Sequence, residues 1–316
     1  MSDKKTIAVL GATGAQGGSL VRAILEDRQG GFAARAITRK PDSEKARKLA
    51  QLGAEVVAGD VDDADSLRKA FRGAHAAFCV TFFWDHMQPE KELAQARAMA
   101  QAAKAEGVQH VIWSTLEDTR KWVPLDDKRM PTLGGKWKVP HFDAKGEANQ
   151  FFVDSGAPTT LLNTSFYWDN LIHFGMGPKS GPDGKLHFAL PMADKKLPGI
   201  AAEDIGRCAY GIFKAGTKYT GKTIGIAGDH PTGAQMAAAL SKALGREVVY
   251  DYVPPEVYRS LGFPGADDLG NMFQFKRDFE SMYCAARDLQ ASRALNPRLQ
   301  SFEQWAMANK DRIPTS

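Results

Sequence analysis

The sequence predicts an α/β protein built on a doubly wound parallel sheet, with a smaller α/β part towards the C-terminus. Three observations predict it. Short apolar runs alternate with helix-patterned segments through the first half of the 316 residues. A glycine-rich loop, Gly11-Ala-Thr-Gly14-Ala-Gln-Gly17-Gly18, stands between the first such run and the first helix. Beyond about residue 165 the segments shorten and are punctuated by Gly and Pro. Near-continuous apolar strands imply a sheet covered on both faces, and right-handed crossovers then give the doubly wound arrangement.

The elements follow in order. Residues 6–10 (TIAVL) read as the first strand, and the helix after the glycine loop carries Val21, Ile24 and Leu25. Residues 33–38 (AARAIT) are a second strand, followed by a charged helix from Ser43 to Gln51. Residues 55–58 (EVVA) end at Gly59-Asp60, and a short helix runs from Asp65 to Phe71. Residues 76–80 (AAFCV) and 109–113 (QHVIW) flank an Ala-rich helix from about Gln88 to Ala105. A helix from Ala144 to Val153 and a strand at 159–163 resume the rhythm after an interruption at 117–140. That interruption holds three prolines and Gly134-Gly135, and a loop this long suits a mobile insertion or a lid. The expected division is therefore 1–164 and 165–316, the second part possessing Ala202 to Lys214, strands at 223–227 and 247–253, a helix at 232–244 and a helical tail, and being open to interleaving with the first.

Composition is that of a globular chain: 43% hydrophobic, 25% charged, and a formal charge of only +4 from 41 basic and 37 acidic residues. No concentrated basic stripe points to nucleic acid as the main ligand. Three cysteines without a CxxC pair suggest neither disulfides nor a metal site. No apolar run reaches a bilayer's thickness, and no signal-peptide pattern opens the chain, so the cytoplasm is the expected compartment.

The glycine loop carries the first functional expectation. Glycines between a strand and a helix permit a tight turn and let backbone N–H groups approach a pyrophosphate, with the helix N-terminus adding partial positive charge. Gly11, Ala12, Thr13, Gly14, Ala15 and Gln16 are thus expected to bind a dinucleotide in a Rossmann-like site, although the spacing is GxxGxxG. At the end of the second strand an NAD site usually places an acid; this sequence has Arg39-Lys40. A guanidinium pairs with a 2′-phosphate that an acid would repel, so NADP(H) is the expected cofactor. Asp60, Val61, Thr81 and Phe82 lie at the carboxyl ends of strands three and four, where adenine, ribose or nicotinamide would pass. Cys79 reads as a core cysteine.

These residues resemble the NmrA-like family of atypical short-chain dehydrogenases/reductases (SDRs), in particular its human NADPH-sensing redox-sensor member. The resemblance covers nearly the whole chain. It rests on Val9 to Gly18, Thr38-Arg39, Gly53 to Val57 with Gly59-Asp60, His141-Phe-Asp-Ala-Lys-Gly-Glu147, Tyr167-Trp-Asp-Asn170, and Leu261 to Phe273. It implies NADP(H) contacts at Gly11 to Gln16, Arg39 and Lys145, and along Tyr167, Trp168, Asp169 and Asn170; Asp169 and Asn170 also suit a helix cap. The lysine that the human member uses after strand four aligns with Ala94. Active short-chain reductases carry Tyr-x-x-x-Lys on one helix face, with an upstream serine. Here Lys145 and Ser114 are present, but His141 takes the tyrosine's place. With Pro140 before it and Asp143 reading as the N-cap, the helix is expected to start after His141, off the Lys145 face. The catalytic candidates are therefore Lys145, His141 and Ser114. The expected function is an NADP(H)-binding redox sensor or regulator with an incomplete catalytic set. The alternative is an NADPH-dependent oxidoreductase acting on a small carbonyl or quinone. A regulatory protein partner and a homodimer are further expectations.

Overall fold

The computed structural model describes residues 4–315. Its first half alternates β1 (Lys5–Val9), α1 (Ala15–Glu26), β2 (Phe32–Thr38), α2 (Glu44–Gln51), β3 (Glu55–Ala58), α3 (Ala64–Phe71), β4 (Ala76–Cys79), α4 (Pro89–Ala105), β5 (His110–Thr115), α5 (Pro140–Ser155) and β6 (Thr159–Asn163). The second half comprises β7 (Phe166–Tyr167), α6 (Asn170–His173), β8 (Lys179–Ser180), β9 (Leu186–Leu190), β10 (Gly199–Ile200), α7 (Ala202–Lys214) and β11 (Thr223–Gly225). It closes with α8 (Gly233–Leu244), β12 (Val248–Tyr252), α9 (Pro255–Arg259), α10 (Ala266–Asp278), α11 (Glu280–Ala285), α12 (Leu289–Leu295) and α13 (Phe302–Asn309).

Seven strands form one parallel sheet in the order β11-β6-β5-β4-β1-β2-β3. The order reverses between β1 and β4, which places the ligand crevice of such a sheet at their carboxyl ends. Successive residues of β1 serve opposite faces. Ile7 and Val9 pack with Leu20, Ile24, Ile205 and Phe213 from α1 and α7. Ala8 and Leu10 pack with Phe71, Met99, Trp113 and Phe152 on the other side. The period of two of an extended chain, with apolar residues at both phases, is what makes a strand buried on both faces. Cys79 belongs to this second core, and burial pushes its thiol pKa up.

The C-terminal part is interleaved with the sheet rather than appended to it. β11 pairs with β6, and α7 lies on α1, where Gly206 lets the two helices approach: a Cβ there would fall 2.2 Å from the Leu20 nitrogen. A third core holds the remainder, with Phe166, Trp168, Phe188, Leu240, Phe273 and Trp305 fully or nearly enclosed.

Two sequence expectations need correction. α5 starts at Pro140, not after His141. Proline suits the first helical position, where its missing N–H is no loss. Asp143 lies one turn inside and reaches back, its carboxylate accepting from the backbone N–H groups of Lys138, Val139 and Thr119 and from the Thr119 hydroxyl. Burial nevertheless raises its pKa against those hydrogen bonds. Segment 117–140, expected as a mobile insertion, is tied down: Val123, Met130, Trp137 and Val139 are buried, and the Lys138 ammonium donates to the carbonyls of Asp127 and Met130. Asn271 and Gln274 of α10 donate to the carbonyls of Pro131, Lys138 and Arg129.

Candidate functional site

The glycine loop closes the carboxyl end of β1. Gly11 takes a left-handed φ of +61°, and the Gly14 N–H turns back onto the Gly11 carbonyl at 2.8 Å. A Cβ at Gly17 would lie 2.4 Å from the Gly11 oxygen, so only glycine lets α1 start this close to the strand. Gly14 is the N-cap of α1, no side chain caps that first turn, and no acid lies in it. Gly11, Gly14 and Ala15 are exposed, Thr13 and Gln16 half-buried, and Ala12 is buried with its N–H on the Ile37 carbonyl. Open N–H groups over a cradle that a Cβ would fill fit the pyrophosphate of a dinucleotide.

Arg39 and Lys40 leave β2 exposed, Arg39 reaching Asp85 at 3.2 Å. At the end of β3, Asp60 is half-buried and turns onto the Asp62 N–H, while Val61 packs against the second core. Past β4, Thr81 is buried and Phe82 exposed.

Two polar networks converge behind the loop. In the first, the Ser114 hydroxyl at the end of β5 donates to Gln16 Oε1 at 2.7 Å, and Gln16 Nε2 donates to the Tyr167 hydroxyl at 2.5 Å. Burial pushes the Tyr167 phenol up to about 12. In the second, the Lys145 ammonium meets Thr81 Oγ1 at 2.5 Å and Glu92 Oε1 at 2.7 Å, and stands 5.1 Å from the Trp113 ring centroid. Glu92 comes from α4 and is fully enclosed. Its burial works to raise its pKa, but the Lys145 charge, the His86 imidazole 3.5 Å from Oε2, and hydrogen bonds from Lys145 and Thr81 outweigh that and hold it at about 2.

His141 is brought onto the Lys145 face after all, because α5 already includes it and four residues make just over one turn. Its ring nitrogen Nδ1 lies 2.6 Å from Asp268 Oδ1. Trp168 and Asp169 are not brought to the crevice. Trp168 is fully buried against Phe302 and Trp305, and Asp169 accepts from the Ala202 N–H at the start of α7. Asn170 opens α6, half-buried.

Sequence reasoning missed Glu92 and the part played by Asp268. Glu92 had a signal: it is in helical phase with Ala96, Met99 and Ala103, an acid on an apolar stripe. Asp268 was visible only as one letter of the Leu261 to Phe273 segment.

Fold and loop together define a Rossmann-like α/β protein. The NmrA-like family model matches residues 3–306, and the chain belongs to that family. Among its relatives is the NmrA-like family domain-containing oxidoreductase FrzB of Cladobotryum sp., 29% identical over 309 residues, covering 91% of this chain and 88% of that protein. Another, the oxidoreductase notA' of Aspergillus versicolor, is 31% identical over 262 residues, 77% of this chain and 70% of that protein. Among solved structures, NmrA, a negative transcriptional regulator, in complex with NADP superimposes with a TM-score of 0.80 at 26% identity, over 97% of this chain and 95% of that one. Its complex with NAD gives 0.80 at 27% identity with the same coverage. Among the described residues no helix is long and apolar enough to cross a membrane.

Proposed function

We propose that this chain is a cytoplasmic NADP(H)-binding redox sensor or regulator, akin in role to the human NADPH-sensing member of its family. One observation carries the reading: Gln16, in the loop that would hold the pyrophosphate, is hydrogen-bonded both to Ser114 in the sheet and to Tyr167 in the C-terminal part. A dinucleotide lying over the loop competes for Gln16, so its arrival is felt by the segment after β6. The loop's open N–H groups bind the pyrophosphate, and Arg39 with Lys40 binds the 2′-phosphate. Asp60 and Val61 flank the adenine, and Thr81, Phe82, Lys145, Tyr167 and Asn170 meet the ribose and nicotinamide. The NAD and NADP complexes of NmrA support a nicotinamide cofactor, and Arg39 favours the phosphorylated form. A regulatory protein is the expected partner and a homodimer the expected assembly. Sedimentation with and without NADPH reads both.

The test is titration by protein fluorescence with NADPH, NADP+ and NADH. Losing a charge-assisted hydrogen bond of about 1.5–3 kcal/mol predicts that Arg39→Ala weakens NADPH binding tenfold or more. NADH affinity should change less than twofold. Unchanged NADPH affinity removes Arg39 from the site. Equal affinities for NADPH and NADP+, with no change of assembly in either, remove the sensor reading, since a ligand shifts an equilibrium only through differential affinity.

A second reading, an NADPH-dependent reductase of a small carbonyl or quinone, is favoured by His141. It stands four residues before Lys145 on one helix, where short-chain reductases carry tyrosine.

A further inference from the structure

Three segments far apart in the chain meet at one imidazole. His141 lies 4.9 Å from the Trp84 ring and 5.9 Å from Phe83, both just past β4, and 4.8 Å from Phe142, nearly perpendicular to it. Trp84 leans on Gly265, where a Cβ would come within 2.8 Å of its Cζ3 and where φ is +82°. Gly265 is the N-cap of α10 and puts Asp267 and Asp268 in that helix's first turn. The order Gly-Ala-Asp-Asp therefore does two things. It leaves room for the indole, and it brings a carboxylate to the imidazole: Asp268 Oδ1 is 2.6 Å from His141 Nδ1, and Oδ2 accepts from the His141 backbone N–H at 3.2 Å.

A carboxylate oxygen only accepts, so Nδ1 must carry the proton. That fixes both the ring plane and the tautomer. The one hydrogen bond that the ring makes among the described residues is at Nδ1, which leaves Nε2 without a protein partner there. An imidazole oriented by a third group, with its second nitrogen free, is the arrangement by which histidine moves protons. We propose that Asp268 is a positioning residue: it holds His141 in the Nδ1–H form, so that Nε2 exchanges a proton with the oxygen of a carbonyl or quinone ligand lying against Trp84. The proposal rests on the reductase reading above. A bound reduced nicotinamide would supply the hydride to a ligand carbon and would itself be oxidised. The imidazolium Nε2–H bond breaks as the ligand O–H bond forms, and the carbonyl becomes an alcohol; with a quinone, the ring C–H formed by the hydride is then lost to solvent as the second oxygen is protonated, giving the hydroquinone. Neutral His141 regains its proton from solvent.

Asp268 also caps the first turn of α5, and a role confined to capping would show only in stability. The test therefore uses three readouts on the full chain and its Asp268→Ala and Asp268→Asn variants. Long-range proton–nitrogen NMR reads the His141 tautomer. Steady-state kinetics with NADPH and 1,4-naphthoquinone give kcat and KM, and fluorescence gives the NADPH Kd. We expect Nδ1–H in the parent chain, a shift towards Nε2–H in Asp268→Ala, at least a tenfold fall in kcat, and an NADPH Kd changed less than twofold. A parent chain in the Nε2–H form, or an Asp268→Ala that keeps the parent tautomer or the parent kcat, overturns the proposal. If the parent chain reduces no quinone, the reductase reading falls, while the tautomer shift still decides whether Asp268 positions His141. Should Asp268→Ala not fold, Asp268→Asn keeps the shape, and its amide can turn to donate to Nδ1, so the same nitrogen signals decide.

Discussion

Replacing Glu92 by Gln tests the ion pair at the centre of the site. The substitution keeps the shape and an oxygen that can still accept from Thr81 and Lys145, but removes the charge, so it imitates the protonated acid. Folding takes the Glu92 carboxyl from an ordinary 4.5 to about 2. At about 1.4 kcal/mol per tenfold, that depression is worth about 3 kcal/mol at pH 7. Glu92 is fully enclosed, so solvent screening does not erode the figure. The sign follows from the direction. A carboxyl whose folded pKa is depressed contributes its stability above the unfolded value and loses it as pH falls through the folded one. The window is therefore pH 4.5 to about 2. Urea unfolding of parent and variant should show a gap of about 3 kcal/mol at pH 7 that narrows to about 1 kcal/mol at pH 3. A gap below about 0.5 kcal/mol at pH 7, within the range of an ordinary surface substitution, refutes the reasoning, as does a gap equally large at pH 3.

Two further outcomes concern how the C-terminal part is fastened to the sheet. Gly206→Ala places a methyl group 2.2 Å from the Leu20 nitrogen and 2.3 Å from the Ser19 carbonyl carbon, both backbone atoms that cannot swing aside. The helices must separate, and a loss of about 1–3 kcal/mol in urea unfolding is expected; a variant as stable as the parent would show that α1 and α7 do not press so closely. Arg287, fully buried, donates to both Glu117 oxygens at 2.7 and 2.9 Å and to the Thr164 carbonyl. Arg287→Ala leaves the buried Glu117 without its cation, and a loss of about 3–5 kcal/mol follows. A melting temperature within a degree or two of the parent's would contradict it.

The strand–loop–helix order of the first half was readable because local signals decide it: apolar runs at the strands, Ser43 and Asp63 as side-chain caps of α2 and α3, and a glycine loop that tolerates no side chain at position 17. The start of α5 was misread because two rules competed. Asp143 looks like an N-cap from its residue type, yet Pro140 takes the first helical position and the carboxylate serves the same orphan N–H groups from one turn further in. Trp168 was misplaced for a different reason. In an extended stretch alternate residues face opposite ways. Phe166 and Trp168 share the core side, and only Tyr167 between them turns to Gln16. The partners of His141 and Glu117 were out of reach of any local rule, lying 127 and 170 residues away.

Other non-local pairs bear on cofactor choice. Behind the loop the polar groups already hold one another: Gln16 with Ser114 and Tyr167, Lys145 with Thr81 and Glu92. A nicotinamide ribose arriving there exchanges hydrogen bonds rather than adding them, and the net gain of such an exchange is small. Arg39 differs. Its contact with Asp85 is solvent-exposed on both sides, an arrangement worth about 0–1 kcal/mol, and a 2′-phosphate would replace it with a stronger charge-assisted pair. On the proposed placement of the cofactor, the adenosine end is therefore expected to set affinity and the preference for NADP(H), and the nicotinamide end, through Gln16 and Tyr167, to set the response to the bound molecule.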